Sequence, residues 1–258
     1  MGICENLYRA VKARAEAVQV KTVSIGLGYT AVGTSDGGIG LAYTFLEDKQ
    51  GCSVVAADVD FEDRPALDLL DEIHSNRIVH RGMALALVNA LNHRAACLLP
   101  EDRSNEIFLD LLEVGQGSHV AMAGYFGPLM GKLQKLGAVV EVADSGKEIG
   151  DAQSFNEKLA HWADVLIMTS TAILNQTADD LLSAVGPKVR TAILGPSTPL
   201  VEEAFKDLPV HVLAGSVPVD REATFKAIRH GKGTPALQRF ARKAYLSINA
   251  GKGESRSG

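Results

Sequence analysis

His119-Val120-Ala121-Met122-Ala123-Gly124-Tyr125-Phe126-Gly127-Pro128 opens with an apolar run and closes in a reversal marked by glycine and proline. The same pattern recurs downstream. Ala138–Ala143 precedes Asp144-Ser145-Gly146, and Val165–Met168 precedes Thr169-Ser170-Thr171. Thr191–Leu194 precedes Gly195-Pro196-Ser197-Thr198-Pro199, and Val210–Leu213 precedes Ala214-Gly215-Ser216. Helical patterns separate these short buried runs, which predicts a parallel sheet with helical crossovers, since tight hairpins cannot join parallel neighbours. Such sheets bind ligands at their carboxyl ends, where this chain collects its small and hydroxyl residues.

Upstream the pattern changes. Glu5–Val18 has helical spacing at Leu7, Val11, Arg14 and Val18. Thr22–Leu27, Tyr29–Thr34 and Gly40–Phe45 then read as an antiparallel meander, with Asp36-Gly37 supplying the hairpin turn. Helices are expected over Pro65–Ile73 and Arg81–Leu91, and Ala95–Asn105 as a connection. The expected organisation is α/β: an α+β domain over 1–105, a parallel-sheet domain over 106–250 and a disordered tail over 251–258. In the second domain, Ser154 with Glu157 reads as a capping box, Thr177 with Asp180 as a weaker one, and Thr198-Pro199 as a helix start. A last helix is expected over Pro235–Ile248, from the i, i+3, i+4, i+7 spacing of Leu237, Phe240, Ala241, Ala244, Tyr245 and Ile248. Its apolar stripe suits packing on the sheet or on a second copy in a homodimer.

Composition narrows the function. A net charge of −5 over 258 residues gives no electrostatic reason to expect nucleic acid or an anionic membrane as partner. No apolar run approaches a membrane span, and Met1–Ala17 lacks the apolar core of a signal peptide, so a cytoplasmic location is expected. Cys4, Cys52 and Cys97 are too few and too widely spaced for a disulfide framework or a zinc knuckle. The seven histidines show no metal-site spacing, and no Gly-x-Ser-x-Gly elbow occurs.

The candidate chemistry lies at the strand ends. Gly124-x-x-Gly127-x-x-x-Gly131, with Asp144 twenty residues on, occupies the place of a dinucleotide fingerprint. Its spacing departs from G-x-G-x-x-G, and Tyr125 and Phe126 put bulk where a pyrophosphate needs none, though they could stack on a planar ligand. Gly195, Pro196, Ser197 and Thr198 either hold an anion at a helix start or merely cap that helix. Thr169, Ser170, Asn175 and Thr177 offer hydroxyls and an amide, or simply end a loop. Tyr29 and Thr30 stand at a strand junction in the first domain.

Several stretches taken in order resemble one known family. They are Ile25-Gly26-Leu27-Gly28-Tyr29-Thr30-Ala31-Val32, Gly40-Leu41-Ala42, Asn89-Ala90-Leu91 and Ala123-Gly124-Tyr125-Phe126-Gly127-Pro128-Leu129, followed by Ala163-Asp164-Val165, Leu174-Asn175-Gln176-Thr177, Gly195-Pro196-Ser197-Thr198-Pro199-Leu200 and Ala214-Gly215-Ser216-Val217. Together they are similar to the "putative heavy-metal chelation" family over roughly residues 5 to 245. The resemblance implies an enolase-N-terminal-like domain followed by a Rossmann-like domain, with a site in the cleft between them. It points to Tyr29, Thr30, Tyr125, Asn175, Ser197 and Thr198 as site residues, and matches Asp220 to a family acid near the last strand end.

The candidate groups are mostly hydroxyls, amides and backbone, whereas a bare soft metal prefers thiolate, imidazole or clustered carboxylate. The expected partner is therefore an anionic, partly planar small molecule, and the expected cofactor a metal ion or a metal-bearing organic ligand of open identity. In this reading Gly195–Thr198 hold the anion, Asn175 and Thr169 orient the ligand, and Tyr29 and Tyr125 close over it. The alternatives are a transferase or lyase using a nucleotide-type cosubstrate, with Asp220 or Glu141 as acid–base, and a scaffold subunit with a vestigial cleft.

Overall fold

A computed structural model describes residues 2–45 and 59–248. The expectations for Cys52 and for the tail over 251–258 lie outside the described residues. The first half begins with α1 (Ile3–Glu16), which buries Ile3, Leu7, Val11 and Ala15 along one stripe. An antiparallel meander follows, in the order β1 (Val20–Ile25), β2 (Tyr29–Thr34) and β3 (Ile39–Tyr43). Gly37 turns the second hairpin at φ 91°, a conformation open to glycine at no steric cost. α2 (Ala66–Leu70) and a 3-10 turn lead to α3 (Ile78–Leu91) and the short α4 (His93–Ala96).

α3 is buried almost all round, because it lies against the meander on one side and helices on the other. Its approach to β3 depends on Gly40. A Cβ there would stand 2.1 Å from the Ala86 carbonyl oxygen and 2.3 Å from the Ala90 nitrogen.

The second half holds a six-stranded sheet in the order β5-β4-β6-β7-β8-β9. Its elements in chain order are α5 (Glu106–Leu111), β4 (His119–Ala123), α6 (Gly127–Lys135), β5 (Val139–Ala143), α7 (Ala152–His161), β6 (Val165–Thr169), α8 (Thr171–Leu174), α9 (Ala178–Ala184), β7 (Arg190–Leu194), α10 (Glu202–Phe205), β8 (Val212–Pro218), α11 (Arg221–Arg229), α12 (Thr234–Leu237) and β9 (Ala241–Ser247). β4 to β8 are parallel and β9 runs antiparallel beside β8. Alternation along the strands sorts two cores. Ala121, Leu166, Met168, Ile193 and Leu213 join the packing of α1 and α3, whereas Val120, Met122, Ile167 and Val212 face Phe108 of α5 and Leu129 and Leu133 of α6. α11 returns to the meander, burying Phe225 and Ile228 against Tyr29, Ala31 and Leu41.

Four expectations are corrected. Pro235–Ile248 is not a helix: only Thr234–Leu237 is helical, and β9 follows. The stretch also satisfies a strand, since Ala244, Leu246 and Ile248 alternate onto the main core while Lys243 and Tyr245 face the other way. Ala214-Gly215-Ser216 is no reversal but the middle of β8, prolonged by its seven pairs with β9. The cap of α7 is Asp151, whose carboxylate accepts from the Ser154 N–H, in place of Ser154 itself. Thr198-Pro199 starts no helix, since α10 begins at Glu202 after an extended Val201.

Among the described residues no helix is long and apolar enough to cross a membrane.

Candidate functional site

The strand order reverses between β4 and β6, because β5 lies on one side of β4 and β6 on the other. At such a point the loops leaving two neighbouring strands diverge and open a crevice at their carboxyl ends. Here the loops are Tyr125-Phe126-Gly127 and Thr169-Ser170-Thr171, with Gly195-Pro196-Ser197 beyond them, and all line one cavity of about 540 Å³.

Two glycines set the wall. Gly124 has φ 91°, and a Cβ there would meet Thr169 Cγ2 at 2.8 Å. Gly195 has φ 141°, and a Cβ would meet Ser170 Oγ at 2.5 Å. Each loop can close on its neighbour only without a side chain at these positions.

The facing wall comes from elsewhere in the chain. Tyr29 and Tyr43 of the meander with Thr234, Pro235 and Gln238 around α12 form it, while Lys243 and Tyr245 of β9 and, beyond that edge strand, Asp102, Asn105 and Phe108 complete the lining. Specific bonds fasten this wall to the sheet. The Tyr43 N–H donates to Ser197 Oγ at 2.7 Å. The Asn89 amide donates to the Leu41 carbonyl at 2.8 Å and to the Ser197 carbonyl at 3.2 Å. Tyr29 and Thr234 share a hydroxyl–hydroxyl hydrogen bond of 2.6 Å. Burial pushes the Tyr29 phenol above its ordinary pKa, so it stays neutral. Tyr29 and Tyr43 meet edge to face with ring centroids 5.9 Å apart.

Tyr125 stands at the mouth. Lys147 Nζ lies 4.5 Å from its ring centroid, a cation–π distance. The Tyr125 N–H, the donor that a fingerprint loop would offer to a pyrophosphate, instead binds Asp144 Oδ2 at 2.9 Å. A resident carboxylate, itself 3.5 Å from Lys147 Nζ, thus takes up that donor.

The structure brings together Tyr29, Tyr125, Phe126, Thr169, Ser170, Gly195, Pro196 and Ser197 around the cavity, with Gly124 just behind. The others stand outside its lining. Thr30 is buried with its hydroxyl bonded to Thr44 Oγ1 at 2.9 Å. Asn175 is exposed and spends its oxygen on the Thr177 N–H and hydroxyl, so this pair closes a turn. Thr198 is buried behind the loop, its hydroxyl without a hydrogen-bond partner among the described residues. Asp220 caps α11 by accepting from the Ala223 N–H, and Glu141 on the edge strand β5 pairs with Lys158 at 2.6 Å. Neither acid reaches the cavity as an acid–base group, and no helix start at Gly195–Thr198 waits for an anion.

Sequence reasoning missed Tyr43, Asp102, Asn105, Phe108, Ser216, Thr234, Gln238, Lys243 and Tyr245 as lining residues. The available signal was the two-residue alternation of Lys243 and Tyr245, which the helical spacing around them obscured.

The donor set does not fit a bare heavy-metal ion. Among the described residues no three His, Cys, Asp or Glu side chains come together in a way that could hold one. Cys97 Sγ lies 3.5 Å from His93 Nε2, but that nitrogen is also 2.8 Å from the Pro218 carbonyl, and burial raises the thiol. Burial, with Asp179 adding to it, pushes the Cys4 thiol up to about 11. Burial thus disfavours the thiolate, the form a metal binds, at both sulfurs.

The comparisons agree with this architecture. Two family profiles match, over residues 8–92 and 108–247, and both carry the description "Putative heavy-metal chelation". A protein of unknown function from the DUF364 family of Pyrococcus horikoshii superposes with a TM-score of 0.79 at 20% identity, over 96% of this chain and 100% of its own. A second DUF364 protein of unknown function, from Desulfitobacterium hafniense DCB-2, gives 0.76 at 17% identity, over 94% and 99%. At such identities the likeness shows the fold alone. No curated protein matches the chain significantly. With matched segments covering both the meander half and the parallel sheet, the chain belongs to the family described as "Putative heavy-metal chelation".

Proposed function

We propose that the protein binds a planar organic molecule in the cavity between the meander and the carboxyl ends of the sheet. Its part in metal handling is to hold a chelator or a metal-bearing cofactor rather than a bare ion. The observation that carries this reading is the character of the wall. Aromatic rings (Tyr43, Tyr125, Phe126, Tyr245) surround a space of about 540 Å³, hydroxyls and amides rim it, and among the described residues no cluster of soft or acidic ligands enters it. That combination, mostly apolar with a few placed polar groups, is what small-molecule pockets offer.

Thermal-shift screening of planar heteroaromatic chelators, each alone and metal-loaded, tests the reading. The wild type and the cavity-filling variant Ser216→Phe are compared. Stabilisation of the wild type, and its loss in the variant, is expected. Stabilisation by divalent metal salts alone, equal in both proteins, would contradict it.

A further inference from the structure

The charge inventory of the cavity deepens this reading and rests on it. Among the described residues, two side chains of formal charge line the space, Asp102 and Lys243. Asp102 is committed to the protein: its oxygens accept from the Ser104 hydroxyl at 3.2 Å, the Glu106 N–H at 3.2 Å and the Phe108 N–H at 2.8 Å. Lys243 is not. Its Nζ donates to the Arg103 carbonyl at 3.2 Å and forms no ion pair among the described residues. An ammonium has three N–H donors, so the remaining two are available to a ligand.

A second group stands beside it. Ser216 of β8 is directly opposite Lys243 of β9 in register, and directly opposed residues present their side chains on the same face of the sheet. Both line the cavity, next to Tyr245. At the other end the charges are already paired, since the Asp144 carboxylate that holds the Tyr125 N–H also faces Lys147 Nζ at 3.5 Å. A ligand with negative charge at the Tyr125 end would meet an ammonium already paired with a carboxylate, and one with charge at the Lys243 end would find an ammonium without an ion pair among the described residues and a hydroxyl.

We infer that Lys243, assisted by Ser216, is the anion anchor of the cavity. The ligand class is a planar aromatic bearing a single carboxylate, with its uncharged edge toward Tyr125. A polyphosphate or nucleotide does not suit this arrangement, because one ammonium faces several charges and the fingerprint donor is already occupied.

Isothermal titration calorimetry with pyridine-2-carboxylate and its neutral counterpart pyridine-2-carboxamide tests the assignment. The proteins compared are the wild type, Lys243→Met, Lys243→Arg and Ser216→Phe. The wild type should bind the carboxylate more tightly than the amide. Lys243→Met should weaken the carboxylate about tenfold or more and leave the amide unchanged, as loss of a charge-assisted bond requires. Lys243→Arg should restore part of the difference, which a merely structural role for the lysine would not produce.

Equal binding of the carboxylate by wild type and Lys243→Met overturns the anchor, while the cavity reading survives if Ser216→Phe still abolishes both ligands. Tighter binding of the dianion phenyl phosphate than of the carboxylate overturns the single-charge assignment. No binding of any of these probes to the wild type, or binding indifferent to Ser216→Phe, overturns the cavity reading and the anchor with it.

Discussion

Replacing Asp102 by alanine tests whether the cavity wall along the outer edge of β9 is held by this carboxylate. Asp102 is 6% exposed and supports the turn into α5 through three donors, while its own N–H bonds the Lys243 carbonyl at 3.0 Å. Of these donors, the Ser104 hydroxyl and the Glu106 N–H have access to water, so losing the carboxylate costs them little. The Phe108 N–H is buried and would be orphaned. An unsatisfied buried donor costs about 1–3 kcal/mol, and lost charge-assisted bonds add to that, so Asp102→Ala should cost about 2–3 kcal/mol. Asp102→Asn keeps one acceptor oxygen and should cost about half as much by the same reasoning. In a chain of this size the alanine variant should melt about 5–10 °C lower. Urea unfolding should show a lower midpoint with an unchanged slope, because the same surface is exposed. A loss below about 0.5 kcal/mol for Asp102→Ala would refute the argument that this carboxylate organises the wall.

Other positions give sharper or simpler readouts. Gly40→Ala forces a methyl against the α3 backbone and should cost about 3 kcal/mol or more in chemical denaturation. A cost near that of an ordinary strand Gly→Ala change would show that α3 and β3 are not so close. Thr198→Val replaces a buried hydroxyl that lacks a partner among the described residues with a methyl of similar shape, so the thermal midpoint should hold or rise; a clear fall would mean the hydroxyl is satisfied. Burial, and then the nearby Arg190 guanidinium, hold the His211 imidazole below its ordinary value, and its Nδ1 accepts from the Thr191 N–H at 3.0 Å. The unfolded chain therefore binds this proton more readily, so stability should fall as pH drops through about 6.5 toward the depressed folded value. Denaturation midpoints at pH 7.5 and 5.5 should differ more in the wild type than in His211→Asn, and equal differences would remove the linkage. Tyr29→Phe loses the bond to Thr234 and should cost about 1 kcal/mol, read as a shift in the urea midpoint.

The parallel sheet was legible because most of its strands are short apolar runs closed by glycine and hydroxyl residues: four predicted runs are β4 to β7, and Val210–Leu213 overlaps the start of β8, which continues through the residues expected to close it. The meander was legible because Asp36-Gly37 announces a hairpin between alternating segments. β9 was not, since Leu237 through Ile248 satisfies a helical and a two-residue period at once. Its strand state is decided by seven pairs with β8 and by the Pro100–Asp102 segment along its other edge, which are long-range facts. The same ambiguity hid Lys243 and Tyr245.

The loop residues at the β4, β6 and β7 ends could be placed near a site from their position after a strand. Their company could not. Tyr43 reaches the cavity through a hydrogen bond to Ser197, 154 positions away in the chain, and no local pattern encodes that. Conversely Asn175, Thr177 and Thr198 carried suitable chemistry at suitable positions, yet one turn and one buried niche absorb them.

Native mass spectrometry with elemental analysis, on protein purified without chelators and without oxygen, tests the central claim most directly. The account predicts an organic adduct approaching one per chain, absent from Ser216→Phe, with any metal present only in the fraction that carries the adduct. A stoichiometric metal retained with no organic mass, in wild type and variant alike, would contradict it.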